Sequence, residues 1–239
     1  MQRRTILTLP LAAVAGSRAA AQPGRPRVAL VIGNGAYRGV PALPNPPRDA
    51  RAMALALTQL RFDVDLVLDA DRDAMAAAVG RLGRAANGAE AALLFYAGHA
   101  AEFGGRNLLL PISVIRPRNG TELARQAIAY DELQAAVAGR AETTLVLLDS
   151  CRDNPFAGLP VASDSPPRPS RTAAPDGARS VGSGLASVVS PSGMLIAFAT
   201  APGEVAFDGG GSHSPFTTAL LRHIETPDIE VRDMLTRGR

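Results

Sequence analysis

The chain has 239 residues, 46% of them hydrophobic and 20% charged, which suits one well-buried globular domain and excludes disorder as its overall state. All 25 basic residues are arginine, and Arg3, Arg4 and Arg18 lie in an N-terminal stretch that reads as an export signal. Without those three, the basic residues equal the 22 acids in number, so no chain-wide footprint for nucleic acid or an anionic membrane is expected.

That stretch, MQRRTILTLPLAAVAGSRAAAQ, has a charged start, an apolar run from Ile6 to Gly16 and the small-residue site Ala19-Ala20-Ala21. It predicts a signal peptide over residues 1–21, too short for a committed membrane span. The pair Arg3-Arg4 points to twin-arginine export, with a Sec signal or an uncleaved anchor as the alternatives. A periplasmic or secreted protein, with its folded domain over 22–239, is the expectation.

RVALVIGN, Arg27 to Asn34, reads as a central parallel strand buried on both faces. Asn45 and Pro46-Pro47 open a helix that sets Ala50, Met53, Ala54, Leu57 and Leu60 on one face. Phe62 to Asp69 alternates apolar and acidic residues and suits a strand nearer the sheet edge, and Asp71 can cap the Ala-rich helix that follows, ending near Asn87-Gly88. Ala91 to Ala97 and TTLVLLD, Thr143 to Asp149, form two further buried strands, separated by a short extended NLLLPIS and a helix from Asp131 to Ala138. Gly193 to Thr200 is another strand, and Ser214 to Ile224 a last helix. Strands alternating with helices at this spacing predict an α/β fold, a mostly parallel sheet with helices on both faces.

In such folds the residues just past the carboxyl ends of the strands share one crevice. The third strand runs out ahead of His99, and the fourth ahead of Cys151, the only cysteine in the chain. If the two strands are neighbours, imidazole and thiol come within reach across one or two strand spacings of about 5 Å each. An odd cysteine in an exported chain is paired between molecules, a free reactive thiol, or inert and buried; as a nucleophile it needs a neighbour to lower its pKa or take its proton, and histidine does both. Between Asn154 and Ser192 the composition turns to Pro, Ser, Gly, Arg and Ala, predicting a flexible insertion over about 157–192. Its Arg168, Arg171 and Arg179 offer nicking sites.

RVALVIGNGAY, LPNPPRDARAM, LLFYAGHA, NLLLPIS, LVLLDSCRDNPF and MLIAFATAPGEVAFD followed by SPFTTALL, in this order, resemble the bacterial caspase-like peptidases of the peptidase C14 type, relatives of metacaspases and paracaspases, from about Arg27 to Ile224. The resemblance implies a caspase-like three-layer sheet of about six strands, a cysteine-type endopeptidase with His99 as general base and Cys151 as acyl-forming nucleophile, and preference for Arg or Lys before the cleaved bond. It also implies that Asp49 and Asp149 line the pocket for that basic side chain, since two converging carboxylates are relieved by a guanidinium bridging both. Structural roles, Asp49 capping the first helix and Asp149 bonding a turn, are the alternative. Relatives carry Gly after the histidine, in a turn whose N–H forms the oxyanion site with the N–H of the cysteine. Here that residue is Ala100, which keeps the donor but brings a Cβ that resists a special backbone angle or crowds the substrate. The chain ends at DIEVRDMLTRGR, where relatives often continue, implying a fold closed without that segment or a shortened copy.

His213, after DGGGS, and His223 read as structural or solvated. No zinc-spaced ligand set is present in the sequence and no cofactor is expected; calcium dependence, known in some metacaspases, stays open. GNGAYRG departs from the dinucleotide pattern and reads as a structural turn. A protein or peptide substrate, no nucleic acid, no stable membrane span and a monomeric state complete the expectation. The second reading is a catalytically silent caspase-like binding or scaffold domain.

Overall fold

The computed structural model describes residues 24–151, 155–156, 159–160, 181–182, 188, 192–199 and 211–226. The expected signal peptide, the arginines of the insertion and the C-terminal segment lie outside these residues.

β1 (Arg27–Gly33) is buried at every position but its first, because it pairs in parallel on both sides, with β2 (Asp63–Leu68) and with β3 (Ala91–Phe103). β3 pairs in parallel with β6 (Thr143–Cys151), and β6 with β8 (Met194–Phe198), so the parallel sheet runs β2-β1-β3-β6-β8. Side chains alternate along each strand and divide the core in two. On one face Val31, Phe95 and Leu147 pack with Met53 and Leu57 of α1 (Pro46–Gln59) and Leu220 of α5 (Pro215–His223). On the other, Ile32, Leu94, Tyr96 and Leu148 pack with Met75 and Leu82 of α2 (Arg72–Ala85) and Leu133 and Val137 of α4 (Tyr130–Val137). The three layers predicted from the alternation of strands and helices are therefore present.

β2 lies at the sheet edge, where its acids reach water, and Asp65 pairs there with Arg81 of α2. Asp71 caps α2 by accepting from the Ala74 N–H at 2.8 Å. A helix that periodicity did not predict, α3 (Gly120–Gln126), starts at Asn119, whose side chain accepts from the Glu122 N–H at 2.9 Å. Glu122 in turn accepts from the backbone and guanidinium of Arg118, which hold its carboxyl below the usual range. Asn119-x-x-Glu122 is a capping signature, but seven residues are too few to show a helical period.

The larger departure concerns β3. It does not end at Ala97; past the parallel pairing it continues to Phe103 and takes antiparallel partners, β4 (Arg106–Leu109) on one side and β7 (Val181–Gly182) on the other. β5 (Ile128–Ala129) extends this smaller sheet from β4. β7 falls within the stretch expected to be a structureless insertion; the free edge of the extended β3 gives its backbone groups a partner.

Candidate active site

His99 thus lies inside β3 and Cys151 is the last residue of β6, neither of them beyond a strand end. They are Cα partners, the last pair in the β3–β6 register, on neighbouring strands about 4.8 Å apart. His99 sits at the seam where β3 leaves the parallel sheet, and the residue before it makes that possible. Gly98 has φ +152°, and a Cβ there would stand 2.6 Å from Tyr37 Oη and 2.8 Å from Tyr96 Oη.

Those hydroxyls hold the His99 backbone. Its N–H donates to Tyr37 Oη at 2.9 Å, and its carbonyl accepts from Tyr96 Oη at 2.6 Å and from the Leu110 N–H at 3.0 Å. Tyr37 Oη passes the chain of bonds on to the Leu110 carbonyl at 3.1 Å. One half of the His99–Leu110 ladder rung is direct, and the other half runs through an inserted phenol. Replacing Tyr37 by Phe should destabilise the fold by about 1–2 kcal/mol, because a buried N–H then loses its acceptor, and should lower kcat more than it raises KM; urea unfolding and steady-state kinetics check both.

The His99 side chain is held from two directions. Its ring packs on that of Tyr37, with centroids 4.7 Å apart and planes tilted by 56°. Nε2 lies 2.8 Å from the Pro41 carbonyl oxygen. A carbonyl only accepts, so Nε2 carries the hydrogen and the neutral ring keeps its basic lone pair on Nδ1. The loop that delivers Pro41 is anchored by Asp69, which accepts from the Gly35 and Ala36 N–H groups at 2.8 and 2.9 Å. In GNGAYRG the Asn34 amide thus donates to the Ala97 carbonyl, those of Gly35 and Ala36 to Asp69, and that of Tyr37 to the Gly35 carbonyl.

Ala100 raises neither of the difficulties expected of it. It is absent from the positive-φ residues, so its backbone is one that alanine adopts freely. Its methyl is buried in the cluster of Tyr96 and Leu109, on the sheet face opposite His99. Because the His99 carbonyl and N–H turn toward β4, alternation turns the Ala100 N–H the other way, to the side of β3 where β6 ends at Cys151.

Asp49 and Asp149 come together, 1% and 8% exposed, at the N-terminus of α5. Asp49 lies in the first turn of α1 but bonds outward: Oδ1 is 2.7 Å from His213 Nδ1, and Oδ2 accepts from the Ser214 N–H at 3.3 Å. Asp149 Oδ2 accepts from Ser214 Oγ at 2.5 Å and from Thr217 Oγ1 at 2.6 Å. Ser214 is the N-cap of α5, its Oγ also accepting from the Thr217 N–H at 2.9 Å. Among the described residues, no three His, Cys, Asp or Glu gather into a metal-binding group, and no helix is long and apolar enough to cross a membrane.

The sequence model of the peptidase C14 caspase domain matches residues 26–239. The chain belongs to that family. A search of curated proteins found no match. Membership makes this a caspase-like fold of a cysteine-peptidase family whose substrates are proteins. Within this caspase domain, several residues around the site were not legible beforehand. Pro41 acts through its backbone, which no side-chain pattern reveals. Tyr37 lay in the GNGAYRG turn and Tyr96 in a buried strand, and nothing in the sequence marked their hydroxyls as partners of His99. His213, expected to be structural or solvated, stands on Asp49; Ser214-Pro215 did announce a helix start, but not that two acids from α1 and β6 meet there.

Proposed function

We propose that this caspase domain is a cysteine-type endopeptidase that cuts after Arg or Lys, with Cys151 as nucleophile and His99 as general base. The observation that carries the reading is the register pair His99–Cys151, with His99 Nε2 engaged by Pro41 and Nδ1 left as the basic nitrogen. His99 Nδ1 takes the thiol proton, and the thiolate attacks the carbonyl carbon of the scissile bond. The resulting oxyanion is met by the N–H groups of Ala100 and Cys151. The imidazolium gives its proton to the departing amine, and water, deprotonated by the same ring, releases the acyl group from sulfur. Asp49 and Asp149 supply the negative charge that selects a basic side chain before the cleaved bond. Ala100's ordinary strand backbone favours this reading over a silent scaffold. The reading includes export to the periplasm or beyond, action as a monomer, and no required cofactor.

Fluorogenic peptides ending in Arg, Lys or Asp test it. Arg and Lys peptides should be turned over at least about a hundredfold faster in kcat/KM than the Asp peptide, since an unmatched carboxylate would be driven into two buried acids. Preference for Asp would remove the pocket from the reading; no turnover of any peptide, with calcium or with chelator, would remove the peptidase.

A further inference from the structure

His213 is the exposed member of its pair with Asp49: its side chain is 31% exposed, and the carboxylate beneath it 1%. An ionised carboxylate only accepts, so His213 Nδ1 donates to Asp49 Oδ1 across 2.7 Å. That is the kind of bond a guanidinium or ammonium would make at the same oxygen. The other carboxylate oxygen is met by the backbone N–H of Ser214, and Asp149 by the hydroxyls of Ser214 and Thr217, all within a packed helix start. Of these donors, the imidazole is the one on the solvent side, and the exposed Gly211 and Ser212 precede it, so it can swing away without moving a packed backbone.

We propose that His213 is a specificity-determining residue that acts as an internal stand-in for the substrate's basic side chain. It bonds Asp49 while the pocket is empty and yields that oxygen when Arg or Lys enters. The inference rests on the pocket reading above. Its consequence is a penalty on basic ligands: only the fraction of molecules with His213 displaced binds them, which weakens apparent affinity by that fraction.

Benzamidine, a small aromatic guanidinium analogue, is the probe, titrated calorimetrically into the Cys151→Ala protein so that the readout does not depend on turnover. His213→Ala should bind benzamidine about three- to tenfold more tightly. In the Cys-containing enzyme it should lower KM for an Arg peptide by a similar factor with kcat unchanged. His213→Asn, whose amide nitrogen stands where Nδ1 does and can donate to Asp49, should bind benzamidine closer to the wild type than His213→Ala does and controls for any disturbance of α5 by alanine. Weaker or unchanged benzamidine binding by His213→Ala, with Asp49→Asn still weakening it, would overturn the stand-in role and leave the pocket in place, His213 then being a prop for Asp49. If Asp49→Asn changes benzamidine binding neither with His213 in place nor in the His213→Ala background, the pocket itself is wrong.

Discussion

On the proposed dyad, His99→Ala should lower kcat/KM on an Arg peptide by about 10⁴-fold or more, and Cys151→Ala should leave no turnover above background. Each removes one half of a unit whose halves do not act separately, so the double substitution should be no worse than Cys151→Ala alone. The two losses differ in a second measurement. A free thiol has a pKa near about 8.5, and only its thiolate is alkylated. With His99 present beside it in the register, Cys151 should react with iodoacetamide at neutral pH faster than a simple thiol; in His99→Ala the rate should fall to that of a simple thiol. Equal alkylation rates in the two proteins would mean that the ring does not act on the sulfur, and adjacency in the sheet would then have no chemical consequence. Pro41 contributes through a carbonyl that no side-chain substitution removes, so the tautomer it enforces is best read from the imidazole ¹⁵N shifts, with the proton on Nε2.

The strands and long helices could be read from the sequence because each buries a continuous or periodic apolar face, as Ala29, Val31, Leu93 and Phe95 do. His99 and Cys151 stood out as chemistry-bearing residues at the ends of such runs. The continuation of β3 did not stand out, since Gly98 looks like a strand terminator and Ala100 to Phe103 owe their strand conformation to β4 and β7, partners remote in sequence. The carboxylate site was half legible. Asp49 and Asp149 came into view only through resemblance to a family, and the donors that meet them come from α5, far along the chain. Short polar contacts across long separations leave no period in a sequence; they become visible only once the sheet has brought α1, β6 and the start of α5 to one end.

Gly98→Ala should be strongly destabilising, because it combines a steric clash with backbone strain. A Cβ at this position would lie 2.6 Å from Tyr37 Oη and 2.8 Å from Tyr96 Oη, closer than any side-chain methyl tolerates, and φ is +152°. Relief requires the two phenols to retreat, and both are already committed: one accepts the His99 N–H, the other donates to the His99 carbonyl, and both reach the Leu110 carbonyl. Overpacking and backbone strain together predict a loss of about 2–5 kcal/mol, with activity lost in whatever fraction folds because His99 shifts with its backbone. Gly104→Ala serves as the reference for a positive-φ glycine without a clash. Gly104 also has positive φ, +62°, but open space around it, so alanine there should cost only the backbone strain, about 1 kcal/mol, and spare activity. The steric part can be isolated further by repeating Gly98→Ala in a Tyr37→Phe, Tyr96→Phe background, where the clashing oxygens are gone. The glycine substitution should then destabilise by less than it does in the wild type, a coupling of about 1 kcal/mol or more in urea unfolding. Strict additivity would mean that the phenols do not constrain Gly98, and that the seam at His99 is held by something other than the two hydroxyls.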